Sequence, residues 1–239
     1  MSAPVLEERR GPVAIVRLNR PQKRNALDSA SLRLLDELFT ELAADDSLRA
    51  LVVSTTDPAA LCAGADVSEQ LDHDAGIARM AAFTRMYSWL DEFPVPIVVV
   101  AVGNCVGAGA ELVAGADLRV GGDNLRLAWA GARLGVPVGP ARLAPLVGVA
   151  RAKDLVLTGR TVGLDEALAL GLVQRTAAAA EAEDVALELA TQIAAQHPGG
   201  IRTLKRMFRE LDDTARRVGY ENELLMRFQE HGAGIPHNR

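Results

Sequence analysis

Apolar and polar side chains alternate over Val13–Leu18, the pattern of a strand, and Pro21 closes it with a turn. The period then changes. Leu32, Leu35, Leu38, Phe39 and Leu42 recur at three- and four-residue spacing, which predicts one face of a helix capped by Ser29 or Ser31. A second short strand is expected over residues 50–54, ending before the Asp57-Pro58 turn, and another helix over about 75–90. Pro96 opens the apolar strand VVVAV; a helix follows from Gly107, with residues 118–120 and 125–129 as further strand candidates. Strands alternating with helices indicate α/β layers with parallel strands.

From Ala141 onward the pattern is almost wholly helical. Gly171 caps the helix predicted over 164–170. Ile201, Leu204, Met207, Phe208 and Leu211 form one amphipathic stripe; Val218, Leu224, Leu225 and Phe228 form another. No linker, repeat or low-complexity tract separates this tail from the rest. It reads as a packing or assembly layer.

Composition narrows the picture mainly by exclusion. The 239 residues suffice for one large domain, and a net charge of −5 gives no reason to expect nucleic acid or a membrane surface as partner. Cys62 and Cys105 lack metal-ligand spacing, and His73, His197, His231 and His237 are scattered, so no metal site is expected. The N-terminal MSAPVLEERRGP has no apolar signal core, and the longest apolar run is too short to span a bilayer. A soluble, cytoplasmic protein is the expectation.

Candidate chemistry lies in VGNCVGAGAEL, residues 102–112, where Glu111 follows a glycine-rich turn inside an apolar stretch. A buried carboxylate is costly unless paired, hydrogen-bonded or used. If a helix starts near Gly107, its first amides lack intrahelical partners. Ala108 and Glu111 then share a face, three residues apart. One turn thus offers a donor for an oxyanion beside a general base, although a purely structural use of Glu111 against the helix dipole fits the segment equally well. The third glycine of a dinucleotide fingerprint falls on Leu112, which argues against such a fold. LCAGAD, residues 61–66, is a second small-residue turn after a strand, with the Ala65 amide as donor; Asp66 and Glu69 suit a local helix cap.

Four segments in order, LNRPQKRNALD (18–28), LCAGADVSE (61–69), GAGAEL (107–112) and LVLTGRTVGLDEALALGLV (155–173), make the sequence similar to the crotonase superfamily, the enoyl-CoA hydratase/isomerase family. The resemblance implies a spiral of β/β/α units over residues 1–173. A helical region over 174–239 is implied to build a homotrimer or a dimer of trimers. It implies an acyl-CoA or enoyl-CoA thioester held by the amides of Ala65 and Ala108, with Glu111 as acid/base and no separate cofactor. CoA contacts are implied at Lys23, Arg24, Ala26 and Leu27, and again at Ala63, Asp66 and Val67. Trp129, Gly131 and Leu134 would line the acyl pocket.

Two departures shape the functional expectation. The family's hydratases carry a second glutamate, whose position here falls on Gly131. Family members also usually continue through a further helix, so a shorter C-terminal region is expected. The leading reading is an enoyl-CoA hydratase/isomerase-type enzyme. Its alternatives are a single-acid isomerase, an acyl-CoA hydrolase, or a non-catalytic acyl-CoA-binding protein.

Overall fold

The computed structural model describes residues 3–235; the final residues of the expected C-terminal region, His237 among them, lie outside this range. The chain opens with a hairpin of β1 (Val5–Arg10) and β2 (Val13–Leu18), antiparallel about Gly11. Helix α1 (Ser29–Ala44) then leads to β3 (Ala50–Thr55), and α2 (His73–Glu92) leads to β4 (Ile97–Ala101). Next come β5 (Asn104–Val106), α3 (Ala108–Gly115), β6 (Leu118–Gly122) and β7 (Arg126–Ala128). The chain continues through α4 (Pro140–Val147), α5 (Val149–Thr158) and α6 (Leu164–Ala169), then β8 (Arg175–Ala177) and α7 (Ala182–Ala194). Helices α8 (Pro198–Leu211) and α9 (Thr214–His231) end it.

Six strands form one sheet in the order β1-β2-β3-β4-β6-β8, all parallel except the opening hairpin; β5 and β7 form a separate parallel pair. The strand period of two explains how both faces are covered. Val13, Ile15, Val52, Val98 and Val100 point to one side, against Ala182, Ala186 and Ala190 of α7. Ala14, Val16, Leu51, Val53 and Val99 point to the other, into the main core with α1, α2 and α3. The small alanine face of α7 lets that helix lie close to the sheet.

Three local expectations change. Asp28, not Ser29 or Ser31, caps α1, its carboxylate accepting from the Ser31 amide at 2.8 Å. Strand β1 escapes a periodicity reading because it is an edge strand whose outward positions carry charge. Strand β8 lies within the stretch that reads as helical and extends the sheet beyond residue 173; its three residues are too few to show a period. Among the described residues no helix is long and apolar enough to cross a membrane.

Candidate active site

Two turns meet at the centre of the molecule. In the first, residues 63–66 lie alongside residues 24–27 in a short parallel bridge. The Leu27 amide donates to the Gly64 carbonyl at 2.8 Å, and the Asp66 amide donates to the Leu27 carbonyl at 2.8 Å. In a parallel bridge these bonds belong to the neighbours of the paired residue, so the N–H of Ala65 points to the opposite side. It has no hydrogen-bond partner among the described residues.

The second turn opens α3. Gly107, at φ +55°, adopts a conformation that favours glycine, and its amide donates to the Ala128 carbonyl. Ala108 is the first helical residue, and its amide is an orphan of the helix N-terminus. The turns abut: a Cβ built on Gly64 would stand 3.9 Å from the Ala108 nitrogen. Gly109 fixes the approach, because a Cβ there would fall 2.1 Å from the Cys62 carbonyl oxygen.

Ala65 and Ala108 share the wall of a cavity of about 270 Å³. Met80, Phe83 and Tyr87 of α2 form one side, and Leu225 and Ile235 close it from the C-terminal end. Gly131 and Leu134 are on the wall as well. A Cβ at Gly131 would meet the Val136 carbonyl oxygen at 2.8 Å and a Val138 methyl at 2.9 Å. Val136 and Val138 therefore fill the space beside Gly131.

Glu111 is fully buried, one turn into α3, and is not on the cavity wall. Its Oε2 accepts from Arg142 of α4 at 2.8 Å, and the same guanidinium nitrogen donates to Glu221 of α9 at 2.7 Å. Glu221 also accepts from the Gly139 and Ala141 amides. The Arg142 guanidinium lies 4.5 Å over the Tyr87 ring. Two carboxylates thus share one guanidinium in a sealed space. Burial raises the Glu111 carboxyl and Arg142 only partly offsets this, with Glu221 adding to the rise, so its pKa is pushed up to about 7. Oε1 has no hydrogen-bond partner among the described residues; the indole N–H of Trp129 faces the carboxylate without completing a hydrogen bond.

The remaining candidates fall into two groups. Lys23 and Arg24 are exposed on a 3-10 turn, with Lys23 donating to the Ser68 hydroxyl. Leu27 is buried in the bridge, while Ala26 accepts from Arg20 through its carbonyl. Ala63 and Val67 line the cavity near the amides. Asp66 is occupied by Arg20 at 3.0 Å and by Ser68; these partners outweigh burial and hold its pKa below the ordinary carboxylate value. Glu69 caps α1 across the chain, accepting from the Ser29 amide, rather than forming a local cap with Asp66. Trp129 does not line the cavity; it is buried beside Glu111.

Periodicity and spacing missed Arg142, Glu221 and Tyr87, each of which touches the Glu111 cluster. A lone arginine within the apolar run ARLAPLV was the one available signal for Arg142.

Comparison with known proteins places this geometry in a class. The enoyl-CoA hydratase/isomerase family model matches residues 8–232. A short-chain-enoyl-CoA hydratase of Clostridium acetobutylicum is 30% identical over 207 residues, covering 84% of this chain and 79% of that protein. A carnitinyl-CoA dehydratase of Proteus mirabilis is 31% identical over 220 residues, covering 89% and 82%. The crystal structure of an enoyl-CoA hydratase from Bacillus anthracis superposes with a TM-score of 0.82 at 24% identity, over 99% of this chain and 100% of that one. The chain belongs to the enoyl-CoA hydratase/isomerase family and has its crotonase fold, and the family acts on acyl-CoA thioesters.

Two stability outcomes follow from the packing. Gly109→Ala sets a methyl group against the Cys62 carbonyl and should cost about 3 kcal/mol, at the upper end of overpacking effects, in urea unfolding; a cost under about 1 kcal/mol would show that the turns part easily. Arg142→Met strands two buried carboxylates and should cost about 3–5 kcal/mol in the same assay. The pH dependence has a definite sign. Between the ordinary value of 4.5 and about 7, the folded chain holds a proton on Glu111 that the unfolded chain has released. This contribution to stability falls as pH rises through that window, and Glu111→Gln should flatten the slope.

Proposed function

We propose that the chain binds an enoyl-CoA thioester with its carbonyl oxygen between the amides of Ala65 and Ala108. One observation carries this reading: two unpartnered main-chain donors, from abutting turns, stand on one apolar cavity wall. Donors fixed in advance stabilise negative charge on the oxygen without reorganising as it develops. Enolate character at the neighbouring carbon then makes a proton there transferable.

Glu111 moves that proton. It shares a helical turn with Ala108, and a pKa of about 7 matches it to exchange near neutrality. Oε1, which accepts no hydrogen bond among the described residues, is the oxygen free to meet the substrate once the side chain swings from its buried position toward the cavity, while Oε2 remains on Arg142. The segments at Lys23 and Arg24, and at Ala63 to Val67, would carry the CoA moiety toward the amides. No further cofactor enters the scheme.

A specific observation favours isomerisation over hydration. Hydration as the family's hydratases perform it divides the work between two acids, and here the second place is Gly131, closed by Val136 and Val138. One carboxylate can take a proton from one carbon and return it to another.

The exposed stripe of α8, with Phe208 at 71% and Leu211 at 82% exposure, is read as the assembly face of a trimer or of stacked trimers. A larger groove of about 580 Å³ beneath α8 contains neither amide and fits the same role.

The deciding experiment is a mass-spectrometric screen of acyl- and enoyl-CoA thioesters, which separates isomerisation, hydration and hydrolysis by product. Glu111→Gln should lower kcat by about 10²–10⁴. Because the ionised form is the base, kcat/KM should rise with pH to a plateau above about 7, and the variant should lose that rise. Undiminished turnover in Glu111→Gln removes the residue from the mechanism; tight binding of every thioester with no turnover selects a binding protein instead. Sedimentation velocity tests the assembly: Phe208→Glu should dissociate a wild-type trimer or hexamer, and a monomeric wild type overturns that reading.

A further inference from the structure

Among the described residues that line the cavity, Tyr87 is the one with a polar side chain; the others offer methyl groups, methylenes, a thioether, a phenyl ring and main chain. It sits on the inner face of α2, one turn beyond Phe83 and two beyond Met80. The residue is only 4% exposed, yet its hydroxyl makes no hydrogen bond among the described residues and is not one of the polar atoms sealed from the cavity.

That arrangement needs a reason. A hydroxyl on an apolar wall that no protein group satisfies is left to water or to a ligand. Phenylalanine would fill the same space and keep the ring under Arg142 without placing a hydroxyl in this wall, and the wall already carries Phe83 one turn away. The guanidinium over the ring also fixes the orientation of the phenol. Burial and the Glu111 carboxylate push the phenol well above its ordinary value of 10, so it remains a donor and does not act as a base. A donor held in an apolar wall seeks an acceptor brought in by the ligand.

We infer that Tyr87 is a specificity-determining residue that donates a hydrogen bond to an oxygen on the acyl chain, beyond the thioester carbonyl. The substrate class is then an oxygen-bearing acyl-CoA rather than one with a plain hydrocarbon chain. The inference rests on the proposal that the Ala65 and Ala108 amides hold the thioester carbonyl, since that assignment leaves Tyr87 for a second oxygen.

The test compares affinities for butanoyl-CoA, 3-oxobutanoyl-CoA and 4-hydroxybutanoyl-CoA, none of which has a 3-hydroxyl to eliminate, by isothermal titration calorimetry. The wild type should bind at least one oxygen-bearing thioester about tenfold more tightly than butanoyl-CoA. Tyr87→Phe should reduce that preference to within about twofold and leave the butanoyl-CoA affinity within about twofold of wild type, which a merely structural tyrosine would not do. No preference in the wild type overturns the inference, and that comparison stands whether or not the variant folds. A preference that survives in Tyr87→Phe overturns it too. A wild type that binds none of the three thioesters overturns the thioester reading itself, a result distinct from binding all three equally.

Discussion

The distance between the α carbon of Gly109 and the carbonyl of Cys62 governs the centre of this molecule. No side chain fits between them: a Cβ would fall 2.1 Å from that oxygen. The Cys62 carbonyl also accepts from the Val106 amide at 2.9 Å, so the strand leading into α3 is held to the 61–66 turn by a bond and a close contact together. Everything proposed for the site depends on this contact. It keeps the first turn of α3 against the turn that carries Ala65, and it keeps the orphan amide of Ala108 on the same wall. The donors are main-chain atoms, and their positions are set by backbone packing rather than by side-chain choice. A single methyl group at residue 109 therefore reaches farther than most substitutions on the cavity wall.

Around that backbone frame, the electrostatics are concentrated in one sealed cluster. Glu111, Arg142 and Glu221 come from α3, α4 and α9, three helices far apart in sequence. Replacing such a cluster with apolar side chains is often neutral or stabilising, so its presence is weak evidence of a stability role. Its chemical consequence is stronger. One guanidinium cannot fully compensate two buried carboxylates, and the surplus negative charge is relieved by a proton. Glu221 already accepts two amides, whereas Oε1 of Glu111 accepts none. Burial accordingly pushes up the pKa of Glu111, the member of the cluster that shares a turn with Ala108.

How much of this could be read from the sequence depended on distance along the chain. The glycine turn, Ala108 and Glu111 lie within five residues, so helix geometry alone relates them. The strands β2, β3 and β4 announce themselves through apolar alternation or an apolar run, because both faces are covered. Relations between distant segments were hidden. Nothing local links Arg142 to Glu111 or Glu221 to Arg142, and Asp66 and Glu69 suit a local cap on their own. In the fold Asp66 instead meets Arg20 and Glu69 reaches Ser29, because the 24–27 segment lies alongside. Trp129 illustrates the same limit. The family resemblance implied a place in the acyl pocket, but the 3-10 turn that follows it carries Gly131 and Leu134 to the cavity and leaves the indole behind, against Glu111.

Gly131 and Tyr87 together bear on what a shared fold can and cannot imply. The family resemblance leads one to expect two carboxylates, with the second position falling on Gly131. Val136 and Val138 fill the space beside that residue, where a Cβ would stand 2.8 Å from the Val136 carbonyl oxygen and 2.9 Å from a Val138 methyl. The polar group on the wall is instead a phenol, supplied by α2 from a different direction. A carboxylate can exchange a proton with water near neutral pH, whereas a phenol whose pKa is raised by burial keeps its proton and offers it as a hydrogen-bond donor. In the proposed reading, that phenol suits the wall to recognising the acyl chain rather than to managing a water molecule. Function thus follows the particular groups on the wall, and the same backbone frame serves either use.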